Sequence, residues 1–355
     1  MVNYARRHRL GPQPDNPVPD PLSARPPSTR HPLEWQPTAS WANLRLRGEL
    51  LKRTRSFFDE RGFLEVETPL LSADTTIDRH LDPLAVTLPD DPRAPTAGRP
   101  LWLQTSPEFA MKRLMAAGGE RLYQITRAFR AAERGVIHNP EFTLLEWYRR
   151  GDSMQDGMQL LSDLVEAVLG CGPALPLSYQ EAFLRHAEID PLTAEAAHLA
   201  GLAAASGLAV PATLGDDRDE WLDFLLGELV LPRLDGDVPT ILYDYPASQA
   251  MLATVRKEDP PVAERFELVY RGVELANGYH ELREADVLRD RARQAHAART
   301  AEGKPPLPTT SRLLSAMDAG LPDCTGVAVG FDRLVMLAAG ARSLDEVLAF
   351  PIERA

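Results

Sequence analysis

Cysteine is nearly absent: Cys171 and Cys324 are the two found in 355 residues. Thiols so few and so far apart exclude a disulfide scaffold and a thiolate zinc site, and they fit a reduced, cytoplasmic protein. Long apolar runs are also missing. No stretch approaches the roughly 20 residues that a membrane helix needs. Arg6, Arg7 and Arg9 are followed by no apolar segment, so no secretory signal is expected. Positive charge is in deficit, with 39 basic residues against 51 acidic ones and a net charge of −12. Phosphate affinity comes mainly from Lys and Arg, which counts against a strongly basic nucleic-acid binder but leaves a local basic patch open. No P-loop, dinucleotide fingerprint or nucleophile elbow occurs. What is present is length enough for a large core, with 44% hydrophobic and 25% charged residues, ordinary for a globular protein.

Proline is concentrated at the start, at Pro12, Pro14, Pro17, Pro19, Pro21, Pro26, Pro27, Pro32 and Pro37. Each removes a backbone donor and fixes φ, so residues 1–34 are expected to form a flexible or polyproline-like tail. Residues 35–355 are expected to form one domain. Its first helix carries Leu50, Thr54, Phe57 and Phe58 at helical spacing and ends near Gly62. Phe63 to Glu67 reads as a short strand and residues 83–100 as a loop or loose hairpin. Leu122–Phe129 and Phe142–Tyr148 read as strands joined by a polar connection. Ser153 to Leu169 reads as a helix opened by a Ser153–Asp156 capping box. Residues 179–235 form a helical block with breaks near Pro191 and Pro211. Strands return at Thr240–Tyr243, Arg265–Tyr270, Gly272–Ala276 and Gly326–Phe331, with helices over 284–301 and 332–339. Strands early and late around a helical block predict an α+β fold: a mostly antiparallel sheet flanked by helices, with a helical insertion at about 179–235.

Three constellations could carry chemistry. The first joins Arg130 and Glu133 to His138, Asn139 and Phe142 across the polar connection. A guanidinium suits phosphate oxygens and an aromatic ring suits a base; a hairpin with a surface ion pair would use the same residues. The second holds Glu274 and Glu281 around Asn277-Gly278, a strong turn signal. Two acids converging across such a bend could hold Mg²⁺ or an ammonium group; an ordinary hairpin with solvated acids is the plain alternative. The third is the small-residue run from Gly326 through Ala328 to Gly330, followed by Asp332 and Arg333. An arginine in a first helical turn opposes the helix dipole, and a polyanionic ligand would explain it; a capping Asp332 beside a solvated Arg333 would not need one.

Taken in order, these segments resemble the signature of class II aminoacyl-tRNA synthetases. Phe63–Pro69 (FLEVETP) resembles their motif 1, Phe129-Arg130 with His138–Thr143 (HNPEFT) their motif 2, and Gly326–Leu334 (GVAVGFDRL) their motif 3. The likeness is closest to the lysyl branch, through Thr105–Glu108, Glu146–Tyr148 and ELANGYHEL. It covers about residues 35–355. An anticodon-binding OB barrel needs five strands, which do not fit in the proline-rich residues before the first helix. The expectation is therefore a free-standing lysyl-branch paralogue, and Trp35–Ser40 and Tyr245–Leu252 resemble such paralogues too.

That resemblance implies activation of lysine or β-lysine with ATP and Mg²⁺, and transfer to a lysine of elongation factor P, in a cytoplasmic homodimer. It implies Arg130 and Arg333 as catalytic phosphate ligands, and Glu133, Asn139, Phe142, Glu274, Leu275 and Gly330 as further ATP contacts. Glu274 would bind Mg²⁺. Ser106, Pro107, Glu108, Tyr148, Glu281 and Ala328 would bind the amino acid, with Glu281 open to a second metal role. Ala328 stands where lysyl-tRNA synthetases usually have Gly, and its methyl would favour a shifted, β-amino group. The net charge counts against tRNA as acceptor, although a minimal tRNA-charging enzyme and an inactive paralogue are the rival readings. One departure stands out: the motif 2 acid follows Arg130 by three residues, as Glu133, where the family has it two residues on.

Overall fold

Ser40 opens the first helix by accepting a hydrogen bond from the Asn43 N–H, the usual remedy for unpaired amides at a helix start. The computed structural model describes residues 35–76, 78–234 and 236–355; the proline-rich segment 1–34 lies outside them. Helix α1 (Trp41–Asp59) buries Leu50, Thr54, Phe57 and Phe58, and Gly62 follows it at φ +70°. The strand expected at Phe63–Glu67 is shorter, β1 (Leu64–Glu65), and pairs in parallel with a later strand.

Next come β2 (Leu71–Ser72), β3 (Ala85–Pro89) and β4 (Gly98–Leu103), a small sheet in which β3 and β4 form a hairpin in the region read as a loop or loose hairpin and β2 pairs with β4 from before it. Helix α2 (Glu108–Ala116) leads into the hairpin β5 (Arg121–Phe129) and β6 (Glu141–Arg150), then α3 (Met154–Leu169). Both halves of the Ser153–Asp156 capping box are present. Strand β7 (Leu175–Ser178) precedes the insertion helices α4 (Tyr179–Ala187), α5 (Ala196–Ala205) and α6 (Arg218–Leu225). The chain returns through β8 (Thr240–Pro246), β9 (Val255–Arg256), β10 (Val262–Tyr270) and β11 (Val273–His280). It closes with α7 (Ala285–Ala301), α8 (Arg312–Gly320), β12 (Cys324–Gly330) and α9 (Phe331–Ala338). Helix α8 falls in a segment for which no element was expected.

The main sheet runs β1-β5-β6-β12-β11-β10-β8-β7, with β9 paired to β10. It is antiparallel except at its ends, where β1 with β5 and β7 with β8 are parallel. One face packs against α1, α3 and α9. Phe58 sits there on Tyr123, with ring centroids 4.6 Å apart, and Trp147 lies beside it. A second core joins the insertion helices to β8. The opposite face of the central strands carries the polar residues.

The turn expected at Asn277-Gly278 is not there. Both lie inside β11, where Asn277 pairs with Glu267 and Ala328. The reversal occurs earlier, at Arg271 and Gly272, whose φ values of +50° and +71° suit a two-residue hairpin turn. Gly278 is required for packing rather than turning: a Cβ there would lie 2.4 Å from the Phe266 ring.

Candidate active site

Residues seven apart on a regular strand point to opposite faces. Glu274 and Glu281 share one face because β11 is bulged. Leu268 pairs with Ala276 but Val269 pairs with Glu274, so Leu275 is the extra residue. The bulge turns Glu274 onto the face of Asn277, Tyr279 and Glu281. Leu275 buries its side chain in the main core, and its carbonyl faces Gly330.

That face floors a cavity of about 580 Å³, walled by Ser106, Glu108, Arg130, Glu146, Tyr148, Glu281 and Ala328. Helices α6 and α7 close its outer side, with Asp219 and Asp223 from the insertion. At its inner end lies a cluster that the motif reading only half contained. Lys112, 2% exposed, places its ammonium 2.6 Å from Glu108 and 2.5 Å from Glu281. Burial opposes the ammonium's charge, but the two carboxylates outweigh it and hold Lys112 above its ordinary value. Glu146 accepts hydrogen bonds from Ser106 Oγ at 2.8 Å and from the Tyr148 hydroxyl at 2.7 Å. Burial, reinforced by Glu108, pushes the Glu146 carboxyl up to about 7. Burial also raises Glu281, with Lys112 pulling against it. Tyr148 is held well above its ordinary value by burial and then by Glu146. Ser106 Oγ also accepts from the Glu108 N–H, and Pro107 stands immediately before α2, so the Ser106–Glu108 loop aims Glu108 inward. With all groups ionised, three carboxylates against one ammonium leave two negative charges.

Gly326 and Ala328 lie on β12 opposite Tyr148 and Glu146. A Cβ on Gly326 would approach Glu281 Oε1 and the Tyr148 ring to 2.3 Å. A smaller cavity beside the first, sharing Arg130 with it, is lined by Glu133, His138, Asn139, Phe142, Gly330 and Arg333. The Arg130 guanidinium lies 4.9 Å from the Phe142 ring centroid. Glu133 reaches Arg130 at 3.7 Å because Ala132 adopts a left-handed conformation, φ +61°; that turn absorbs the extra residue of the loop.

Arg333 donates to the Glu274 carbonyl at 2.7 Å and to His138 Nε2 at 2.7 Å. Burial, then Arg333 and Arg130, lower His138 to about 4, so at neutral pH the ring is an uncharged acceptor that orients Arg333. Asn139 is committed at both ends, donating to the Glu141 carbonyl and accepting from the Ile352 N–H. The Glu274 carboxylate lies 3.9 Å from Arg333. Burial raises it, and so does Glu267, while Arg333 opposes them. Glu267, on the same face, is held by Arg265 at 2.5 Å. Glu281, by contrast, is engaged by Lys112.

The two adjoining cavities thus hold Ser106, Glu108, Arg130, Glu133, Asn139, Phe142, Tyr148, Glu281, Ala328, Gly330 and Arg333 of the residues named from sequence, Glu274 lies beside Arg333, and Lys112 and Glu267 join them with Glu146 in a role the motif reading did not give it. Lys112 stands four residues after Glu108 on a helix, and Glu146 two before Tyr148 on a strand, so both spacings were available as signals. Glu267 carried none, because its approach to Glu274 depends on the bulge.

Among the described residues, no helix is long and apolar enough to cross a membrane. Comparison with known proteins matches residues 29–354 to the class II tRNA synthetases of the D, K and N type. The chain is 49% identical over 321 residues to a Salmonella typhi protein named elongation factor P–(R)-β-lysine ligase, covering 90% of this chain and 98% of the relative. The Klebsiella pneumoniae protein of the same name is 48% identical over the same shares. A match across the three motifs and nearly the whole length, on a sheet that carries them side by side, makes the chain a member of the class II tRNA synthetase family.

Proposed function

We propose that the protein is an ATP-dependent ligase that activates (R)-β-lysine as an adenylate and passes it to a lysine side chain of elongation factor P. The observation that carries this reading is the charge of the inner pocket. Three carboxylates, Glu146 and Glu281 buried and Glu108 nearly so, around one resident ammonium suit a ligand with two ammonium groups, which need acids in place of water. The names of the relatives support the acceptor and the β-amino acid. Glu108 would take one ammonium, and Glu281 with the Glu146–Tyr148 pair the other. Lys112 keeps Glu108 and Glu281 in place.

In the first step the substrate carboxylate attacks the α-phosphorus of ATP and pyrophosphate leaves. The nucleophile is already anionic, so positioning and charge neutralisation do the work. Arg130 would hold the α-phosphate and Arg333 the γ-phosphate, with neutral His138 fixing the Arg333 fork. Phe142 would stack on adenine. Glu133, the backbone at Asn139 and Leu275, and the open surface over Gly330 would complete the nucleotide pocket. The Glu274 carboxylate, raised by burial and by the Glu267 charge on the same face, would gain from a divalent cation, which favours its ionised form. Mg²⁺ bound there would neutralise phosphate charge. In the second step a neutral acceptor amine attacks the mixed anhydride and AMP leaves. A homodimer follows from the motif 1 resemblance, and exposed Trp41 and Leu64 on α1 and β1 support it; a monomer in sedimentation velocity would remove it.

The test is intact-mass spectrometry of elongation factor P after incubation with the protein, Mg-ATP and either β-lysine or α-lysine. A gain of one lysyl unit, faster with β-lysine, is expected. No gain with either amino acid, while ATP–pyrophosphate exchange proceeds, would reject elongation factor P as the acceptor.

A further inference from the structure

Arg47 of α1 reaches the point where β6 and α9 meet behind the smaller cavity. Its Nη1 lies 2.6 Å from Asp332 Oδ1, its Nη2 donates to Thr143 Oγ1 at 2.6 Å, and its guanidinium lies 5.4 Å from the Phe331 ring centroid. The other Asp332 oxygen accepts from the Thr143 N–H at 2.8 Å, and Arg127 also donates to Thr143 Oγ1. Thr143 follows Phe142 in the chain, and Asp332 precedes Arg333. The three side chains therefore join the motif 1 helix, the motif 2 strand and the start of the motif 3 helix at one buried point. Asp332 is 2% exposed. A carboxylate so buried needs its partner, because an unpaired charge there is strongly destabilising. The planar fork of arginine spans two acceptors at once, which an ammonium does less well.

We propose that Arg47 is a positioning residue for the nucleotide: it locks Thr143 to Asp332, and thereby holds Phe142 and Arg333 at the separation that one ATP molecule must span. This rests on the reading of the smaller cavity as the ATP site. Among the described residues, none lining the larger cavity hydrogen-bonds or ion-pairs with Arg47, so its effect is expected on one substrate.

The test is ATP–pyrophosphate exchange by wild type, Arg47→Met and Arg47→Lys, each with ATP and lysine varied in turn. Arg47→Met is expected to lower kcat/KM for ATP about 100-fold, the scale of an ångström's misplacement, with the KM for lysine within about twofold of wild type. Arg47→Lys should recover part of the loss, since it keeps the charge on Asp332 but not the bridge. An unchanged kcat/KM for ATP, or a matching rise in the KM for lysine, would overturn the proposal. If Arg47→Met does not fold, Thr143→Val, which removes the shared acceptor at constant shape, is read by the same criterion. Absence of exchange in wild type would instead sink the ATP reading itself, so the two failures are distinct.

Discussion

Substrate binding should release protons. In the free protein the Glu146 carboxyl is raised to about 7, because burial and the nearby Glu108 charge disfavour its ionised form. A diammonium ligand reverses that balance, since a cation beside a carboxylate lowers its pKa. Glu146 is about nine-tenths protonated at pH 6 and about one-tenth at pH 8, by the ordinary titration relation. Binding that requires the ionised form therefore strengthens as pH rises through 7. From Glu146 alone the affinity for lysine should increase about tenfold between pH 6 and pH 8, or about 1.4 kcal/mol. Glu281, also raised by burial, adds in the same direction. Titration calorimetry with lysine and β-lysine, run in phosphate and in Tris, measures the release directly. At pH 7 the observed enthalpy should differ between the buffers by roughly half a proton or more of their ionisation heats. Glu146→Gln should flatten the Glu146 part of the pH dependence. Identical enthalpies in both buffers, with an affinity flat from pH 6 to 8, would refute the argument that these carboxyls face the ammonium groups.

Arg333→Ala should lower the rate of ATP–pyrophosphate exchange by about 10²–10³, the usual cost of deleting one charge-stabilising donor, with lysine binding by calorimetry unchanged; near-normal exchange would remove Arg333 from the mechanism. Gly326→Ala drives a methyl into Glu281 and Tyr148 at 2.3 Å. It should weaken lysine binding while leaving the KM for ATP alone, and equal effects on both substrates would mean that the strain spreads beyond the pocket. Two residues along, Ala328→Gly creates room on the same face and should shift the preference from β-lysine towards α-lysine in paired exchange assays. An unaltered ratio would place the discriminating contact elsewhere.

Several elements were legible because their signals are local. The stripe and capping box of α3 occupy a few consecutive residues, and a helix needs no distant partner to declare them. The order of the three motifs was likewise enough for the family and the α+β sheet. Other features were not written locally. Asn277-Gly278 is a turn dipeptide by composition, yet two neighbouring strands hold it extended. The late helix α8 was hidden because its short apolar stripe gains meaning only against α2.

Residue types and their order thus determined the family and which charged side chains the chain could bring to a site: arginines, several acids, and too few cysteines for a thiolate site. Tertiary structure decided which acid meets which neighbour. One bulge at Leu275 sends Glu274 towards Glu267 and Arg333 while leaving Glu281 to Lys112. One left-handed residue, Ala132, restores the contact of Glu133 with Arg130. The reason is physical: the facing of a strand residue depends on register with its partners, and register is settled across strands far apart in sequence.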